Sequence, residues 1–280
     1  MKVAFLGLGL MGLPMAGRIA QGGHDLTVWN RSPDKCRDFA GVAASPREAV
    51  KNAEIVCLCL ASGAVVGEMA AEVAETISPD AILVDFSSIG VEETRDYAGK
   101  LPCAWVDAPV SGGVPGAQSG RLVIFCGGTA ESVEKLQPIF HCVASRVTHM
   151  GDLGAGQAAK LCNQLIVSAN IVAIAEAMAL GRALGLDAAK LPAALAGGFA
   201  DSKPLQIFGP RMAGAPCEPP LGRISIMQKD AVTIGRAARA ADLDLPMQQT
   251  VEDRYRAAEE LGLAASDLGR LIALYHGPRR

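Results

Sequence analysis

Apolar residues are arranged in two different ways along this chain. Over the first half, short continuous apolar runs at residues 3–8, 26–29, 55–60, 82–85, 105–107 and 122–126 read as strands. Between them, residues 13–21, 33–40, 46–52, 65–76, 92–99 and 132–140 carry apolar positions at helical spacing, and a further apolar stretch covers 146–150. Strands without polar alternation, separated by helices, predict a parallel sheet covered on both faces. After Gly151 the pattern changes. Residues 156–186 and most of 190–274 read as helix, and the Pro/Gly-rich stretch 209–223 reads as an irregular loop. The glycines of 151–156 form the natural hinge. The pattern therefore predicts two domains, 1–152 and 153–280: an α/β half with a doubly wound sheet and an all-helical half.

Composition agrees with a two-domain chain. At 280 residues, with half of them hydrophobic and a fifth charged, two cores can be filled. Aromatics are only 4 %, so close packing falls to Ala, Gly and the aliphatics. The net charge of −3 and scattered basic residues offer no face for nucleic acid. Arg279–Arg280 reads as a solvated tail. None of the eight cysteines forms Cys-x-x-Cys and several sit inside apolar runs, as in Val56-Cys57-Leu58-Cys59-Leu60, so they read as free, buried thiols of a reducing compartment. His24, His141, His149 and His276 lack ligand spacing, and no metal is expected. The most apolar stretch, 165–180, is broken by Asn170 and Glu176 and falls short of the roughly 18 uninterrupted apolar residues of a membrane span. With no leader-like run at its start, a cytoplasmic location without membrane attachment is expected.

Gly7-Leu8-Gly9-Leu10-Met11-Gly12 follows the first strand and opens the first helix. Glycines so placed allow a tight turn, close approach to a pyrophosphate and close helix–strand packing, and the helix start offers N–H groups to phosphates. A Rossmann-type dinucleotide site is expected, involving Gly7, Leu8, Gly9, Met11 and Gly12. An acid about 20 residues further on would hold the ribose hydroxyls of NAD. This chain has Asn30-Arg31-Ser32 there. No carboxylate repels a 2′-phosphate, Arg31 can bond one, and Asn30 and Ser32 add neutral donors. NADP(H) is therefore expected in preference to NAD(H).

Three further motifs follow in order: Asp107-Ala-Pro-Val-Ser111-Gly112-Gly113; Gly151-x-x-Gly154-x-Gly156-x-x-x-Lys160-x-x-Asn163-Gln164; and Lys229-Asp230. Lys160 lies in an otherwise apolar helix, where a charge without a task is costly. Asn163 and Gln164, at i+3 and i+4, share its face. Ser111-Gly112-Gly113 sets a hydroxyl beside two glycine N–H groups, a nest suited to a carboxylate. With the glycine loop, these motifs resemble the β-hydroxyacid dehydrogenase family over nearly the whole chain.

The resemblance implies an oxidoreductase acting on CH–OH groups. Its substrates would be small carboxylate-bearing aldehydes and their hydroxyacids: tartronate or succinic semialdehyde, glyoxylate, or methylmalonate semialdehyde. Lys160 would serve as general acid in reduction and base in oxidation, with Asn163 or Gln164 orienting it or bonding the substrate. Ser111, Gly112, Gly113 and Asp230 would belong to the substrate site. Leu60, Ala61, Ser88 and Lys229 would line the cofactor. Ser88 keeps the hydroxyl of the family's usual Thr, whereas Leu60-Ala61 departs from the usual Leu-Pro. Relatives form dimers or tetramers, and the same is expected here. An imine reductase on the same scaffold, or an idle NADP-binding module, are the alternatives; Lys160 argues against the first, and Lys160 with Ser111 against the second.

Overall fold

A computed structural model describes residues 1–275; His276, Arg279 and Arg280 lie outside the described residues. The strands are β1 (Lys2–Leu6), β2 (Asp25–Trp29), β3 (Gly41–Val42), β4 (Ile55–Leu58), β5 (Ile82–Asp85), β6 (Ala104–Asp107), β7 (Val110–Ser111), β8 (Leu122–Gly127) and β9 (Ala144–Gly151). The helices are α1 (Gly12–Gln21), α2 (Pro46–Val50), α3 (Gly63–Val73), α4 (Val91–Ala98), α5 (Gly113–Ser119), α6 (Ala130–Lys135), α7 (Gln137–Val143), α8 (Ala155–Ala183), α9 (Leu191–Leu195), α10 (Lys203–Ala213), α11 (Ile224–Ala240) and α12 (Pro246–Glu260). The chain divides into two compact units, Met1–Lys160 and Leu161–Arg280, with the boundary inside α8.

In the first unit the strands lie in the order β3-β2-β1-β4-β5-β6-β8-β7, and β9 pairs with β8. Outward from β1 the order reverses between β2 and β4, the switch point at which doubly wound sheets bind ligands beyond their strand ends. Strand residues alternate between two cores. Val3, Phe5, Ile55, Cys57, Ile82 and Val84 join Met15 and Ile19 of α1 and Ile139 and Phe140 of α7. Ala4, Leu6, Val56, Leu58 and Leu83 join Val50 of α2 and Val66, Met69 and Val73 of α3. β1, β4 and β5 are thus buried on both faces, which is why they read as continuous apolar runs, whereas β2 buries only Leu26 and Val28 and most of β9 is exposed. Truncating Phe5, wholly buried, is expected to cost about 3–5 kcal/mol.

The sheet is not wholly parallel. β6 and β7 run antiparallel to β8: Asp107 faces Gly127, Val110 faces Ile124 and Ser111 faces Val123. The predicted helix 33–40 is only a 3-10 turn over Pro33–Cys36, with Cys36 buried and Phe39 packed part-buried on the same core. The predicted helix 132–140 is split into α6 and α7 at Leu136, where Pro138 enters the first turn of α7 and cannot donate a helical hydrogen bond.

The second unit is helical. Ile171, Ala175 and Met178 of α8 pack with Leu205, Phe208 and Met212 of α10, Met227 of α11, and Val251 and Tyr255 of α12. α8 has 29 residues and a mean hydropathy of 1.6 over its most apolar 18. The helix is longer than the 165–180 run, and by length and composition alone it could cross a membrane. Ile171, Val172, Ile174, Ala175 and Met178 of this helix are buried in the second unit's core, whereas Ile166 and Leu180 are exposed. Part of the expected loop 209–223 is also helix, since α10 continues to Ala213 with Pro210 inside it. Gly209 serves packing rather than a turn: a Cβ there would stand 2.6 Å from the Pro192 ring.

Candidate active site

The glycine loop leaves the carboxyl end of β1. Gly7 has φ +104°, and a Cβ on it would lie 2.5 Å from the Cys59 carbonyl oxygen. Gly12 opens α1, and its Cβ would fall 1.9 Å from the Gly7 carbonyl oxygen. These two glycines are demanded by the protein's own packing. Gly9 is different: a Cβ there would meet nothing within 4 Å. Met11, half-buried, packs on the core under α1. Leu8 is buried, and its N–H donates to Oδ1 of Asn30 at 2.9 Å. Asn30 also donates from Nδ2 to the Ser32 carbonyl at 3.0 Å. Its amide therefore holds the loop's shape, a task that the residue spacing alone does not reveal. Arg31 and Ser32 are exposed. Asp34, the next acid along the sequence, pairs with Arg37.

Leu60 and Ala61 follow β4, and Ser87 and Ser88 follow β5. The Leu60 N–H donates to Ser87 Oγ at 2.9 Å, and the Ser87 N–H to Oδ1 of Asp85 at 2.9 Å. Asp85 is fully buried and its Oδ2 has no hydrogen-bond partner; burial pushes its carboxyl up to about 6 against the opposing pull of Ser87. Ser111 lies beyond the carboxyl end of β6, followed by Gly112 (φ +126°) and Gly113 (φ +61°). Both positive-φ positions require glycine.

Two buried residues tie these strand ends to α8. Asp107, at the end of β6, accepts the Gly154 N–H on Oδ1 and the Gln157 N–H on Oδ2, both at 2.7 Å. Burial raises its pKa, opposed by these bonds. The Gln157 side chain donates to the Ser87 carbonyl at 2.7 Å and accepts the Ile89 N–H at 3.2 Å. Asp107 was legible only as part of a motif, and Gln157 not at all.

Lys160, only 8 % exposed, follows one turn later on α8. In the second unit Asn163 Nδ2 donates to Gln164 Oε1 at 2.9 Å, and Gln164 Nε2 donates to Oδ2 of Asp230 at 2.6 Å. Lys229 Nζ stands 3.0 Å from the other oxygen of Asp230, which is 6 % exposed. The fold thus brings Asn163, Gln164, Lys229 and Asp230 into one chain of contacts. It gathers Gly7–Gly12, Asn30–Ser32, Leu60, Ala61, Ser88 and Ser111–Gly113 at the carboxyl ends of the first unit's strands.

These residues fit a dinucleotide. The open space over Gly9, beside two glycines fixed by packing, is the cradle a pyrophosphate requires. Among the described residues no cluster of His, Cys, Asp or Glu could hold a metal ion.

Residues 2–151 match the family model for the NAD-binding domain of 6-phosphogluconate dehydrogenase. Residues 154–275 match that for the NAD-binding region of NADP-dependent 3-hydroxyisobutyrate dehydrogenase. The 2-hydroxy-3-oxopropionate reductase of Escherichia coli K12 is 32 % identical over 97 % of this chain and 96 % of its own. The chain belongs to the β-hydroxyacid dehydrogenase family. An NAD-dependent L-serine dehydrogenase from Pseudomonas aeruginosa is 31 % identical, covering 98 % of this chain and 97 % of that one. The solved 3-hydroxyisobutyrate dehydrogenase of Mycobacterium tuberculosis, with L-serine, has a TM-score of 0.89 at 29 % identity, covering 98 % and 99 % of the two chains. This β-hydroxyacid dehydrogenase family member is an oxidoreductase of hydroxy acids that uses a nicotinamide dinucleotide.

Proposed function

We propose that the protein is an NADP(H)-preferring enzyme that interconverts a small carboxylate-bearing aldehyde and its hydroxyacid. Tartronate semialdehyde, succinic semialdehyde, glyoxylate and methylmalonate semialdehyde are the candidate substrates. The observation that carries the proposal is the burial of Lys160 in α8, on the helix face it shares with Asn163 and Gln164. A lysine buried on a helix face with two amides is held at a fixed place rather than left free in solvent. A proton donor so placed suits transfer to an oxygen that gains charge.

When bound, the nicotinamide supplies or accepts the hydride. Lys160 Nζ gives its proton to the substrate oxygen in reduction and takes the hydroxyl proton in oxidation. Ser111 and the Gly112–Gly113 amides hold the substrate carboxylate. Gln164, with Asn163 and Asp230, orients the polar end of the site, while Lys229 balances the Asp230 charge. Gly7, Leu8, Gly9, Met11 and Gly12 cradle the pyrophosphate, with Leu60, Ala61 and Ser88 along the cofactor. Arg31 faces the 2′-phosphate, and Asn30 and Ser32 shape the turn that presents it. Residues 1–152 would form the NADP-binding domain and 153–280 the substrate and oligomerisation domain of a cytoplasmic homodimer or homotetramer. The eight free cysteines suit a reducing compartment. The preference for NADP(H) rests on the charge pattern at 30–32, where Arg31 is exposed and no carboxylate stands.

The test follows absorbance at the nicotinamide band with NADPH or NADH and a panel of small semialdehyde acids. Turnover of one aldehyde with NADPH preferred is expected. Preference for NADH would overturn the reading of Arg31. Binding of cofactor without turnover of any semialdehyde or hydroxyacid would overturn the assignment of substrate class.

A further inference from the structure

We infer that Asp107 is a positioning residue for Lys160: its carboxylate, clamped to the first turn of α8, sets where the lysine stands. This rests on the reading of Lys160 as the proton-transfer group. The first N–H groups of a helix lack intrahelical acceptors and are usually capped by a neighbour in sequence. α8 is capped from 47 and 50 residues away, by Asp107 on Gly154 and Gln157. The cap is walled in. A Cβ on Gly127 would stand 2.6 Å from Asp107 Oδ1, and one on Gly156 would stand 2.8 Å from Oδ2. The carboxylate therefore has little room to move, and a side chain at Gly127 or Gly156 would crowd it. Gln157 adds a second tether through Ser87 and Ile89.

Four hydrogen bonds thus tie the start of α8 to the segments that leave β5 and β6. Lys160 lies three residues past Gln157, roughly 4.5 Å further along the axis, with no flexible residue between. A displacement of about 1 Å in a reacting group can cost 10²-fold in rate. A loose helix start would therefore be felt at the Lys160 ammonium before it was felt in the fold.

Asp107→Asn keeps one acceptor and turns a donor toward a backbone N–H. The variant should lower kcat about tenfold or more, leave KM for NADPH within about twofold, and speed amide hydrogen exchange across residues 154–160. In a Lys160→Ala background the same change should cost less than about twofold, because the group it positions is gone. A full multiplicative loss in that background, or unaltered exchange in 154–160, would overturn the inference. Gln157→Ala, put through the same cycle, tests it if Asp107→Asn fails to fold. Near-normal turnover of Lys160→Ala alone would sink the reading of Lys160, while the exchange measurement would still report on the clamp.

Discussion

Gln164 Nε2 lies 2.6 Å from Oδ2 of Asp230, while Asn163 donates to the opposite end of the same amide. Of the two neighbouring amides, Gln164 is the one that links α8 to the buried acid of α11. A hydrogen bond to a buried carboxylate is worth about 1.5–3 kcal/mol. Gln164→Leu should lower the stability of the helical unit by that amount in urea titration and reduce kcat/KM for the acid substrate at least tenfold. Gln164→Glu would set two carboxylates together and be worse at pH 8 than at pH 5. Equal unfolding midpoints for Gln164→Leu and the wild type would show that the contact contributes nothing.

Cofactor choice turns on Arg31. The guanidinium is exposed, and Asp34 is occupied by Arg37. Charge-assisted bonds to a 2′-phosphate are worth about 1.5–3 kcal/mol, or roughly 10- to 100-fold. Arg31→Ala should lower kcat/KM for NADPH by that factor and leave NADH within about twofold. An equal loss with both cofactors would mean that Arg31 serves the fold or the shared half of the dinucleotide.

The strands and the glycine loop were legible because their causes are local. A strand buried on both faces must be apolar at every position, and the loop's glycines stand where the chain turns. Asn30 was found by offset, but its grip on the Leu8 N–H depends on a side-chain orientation that spacing does not carry. The antiparallel β6–β8 pairing escaped because β7 is two residues long and gives no periodic signal. The break at Leu136 could have been found from Pro138. Asp107 and Gln157 were hidden for a different reason. Their partners lie about 50 or more residues away in sequence, so no local pattern marks them.

Asp85 predicts a pH dependence of stability. Its carboxyl is raised from 3.8 to about 6 by burial, with one oxygen lacking a hydrogen-bond partner. A group with a raised folded pKa holds its proton more tightly when folded. Stability contributed by the protonated form is therefore present below about 4 and lost as pH rises through about 6. Above that, an ionised Asp85 costs roughly 3 kcal/mol. Asp85→Asn keeps the acceptor for the Ser87 N–H and cannot ionise. Its unfolding midpoint should exceed the wild type's at pH 8, with the difference closing toward pH 4. A difference constant across that range would show that Asp85 does not titrate between 4 and 6.

The glycines of the dinucleotide loop can be separated by what a methyl group would meet. At Gly12 it would stand 1.9 Å from a carbonyl oxygen of the loop itself, so the backbone must move. Gly12→Ala should destabilise the cofactor-free protein by about 3 kcal/mol or more, the upper range for overpacking. At Gly9 the methyl meets no protein atom within 4 Å, and the cofactor-free variant should melt within about 0.5 kcal/mol of the wild type. That methyl does stand where a pyrophosphate must approach the backbone. Gly9→Ala should therefore weaken NADPH binding about tenfold or more with its fold intact, as read by fluorescence titration beside a thermal melt. If Gly9→Ala binds NADPH as tightly as the wild type, the pyrophosphate lies elsewhere. The space over Gly9 would then be an ordinary surface hollow.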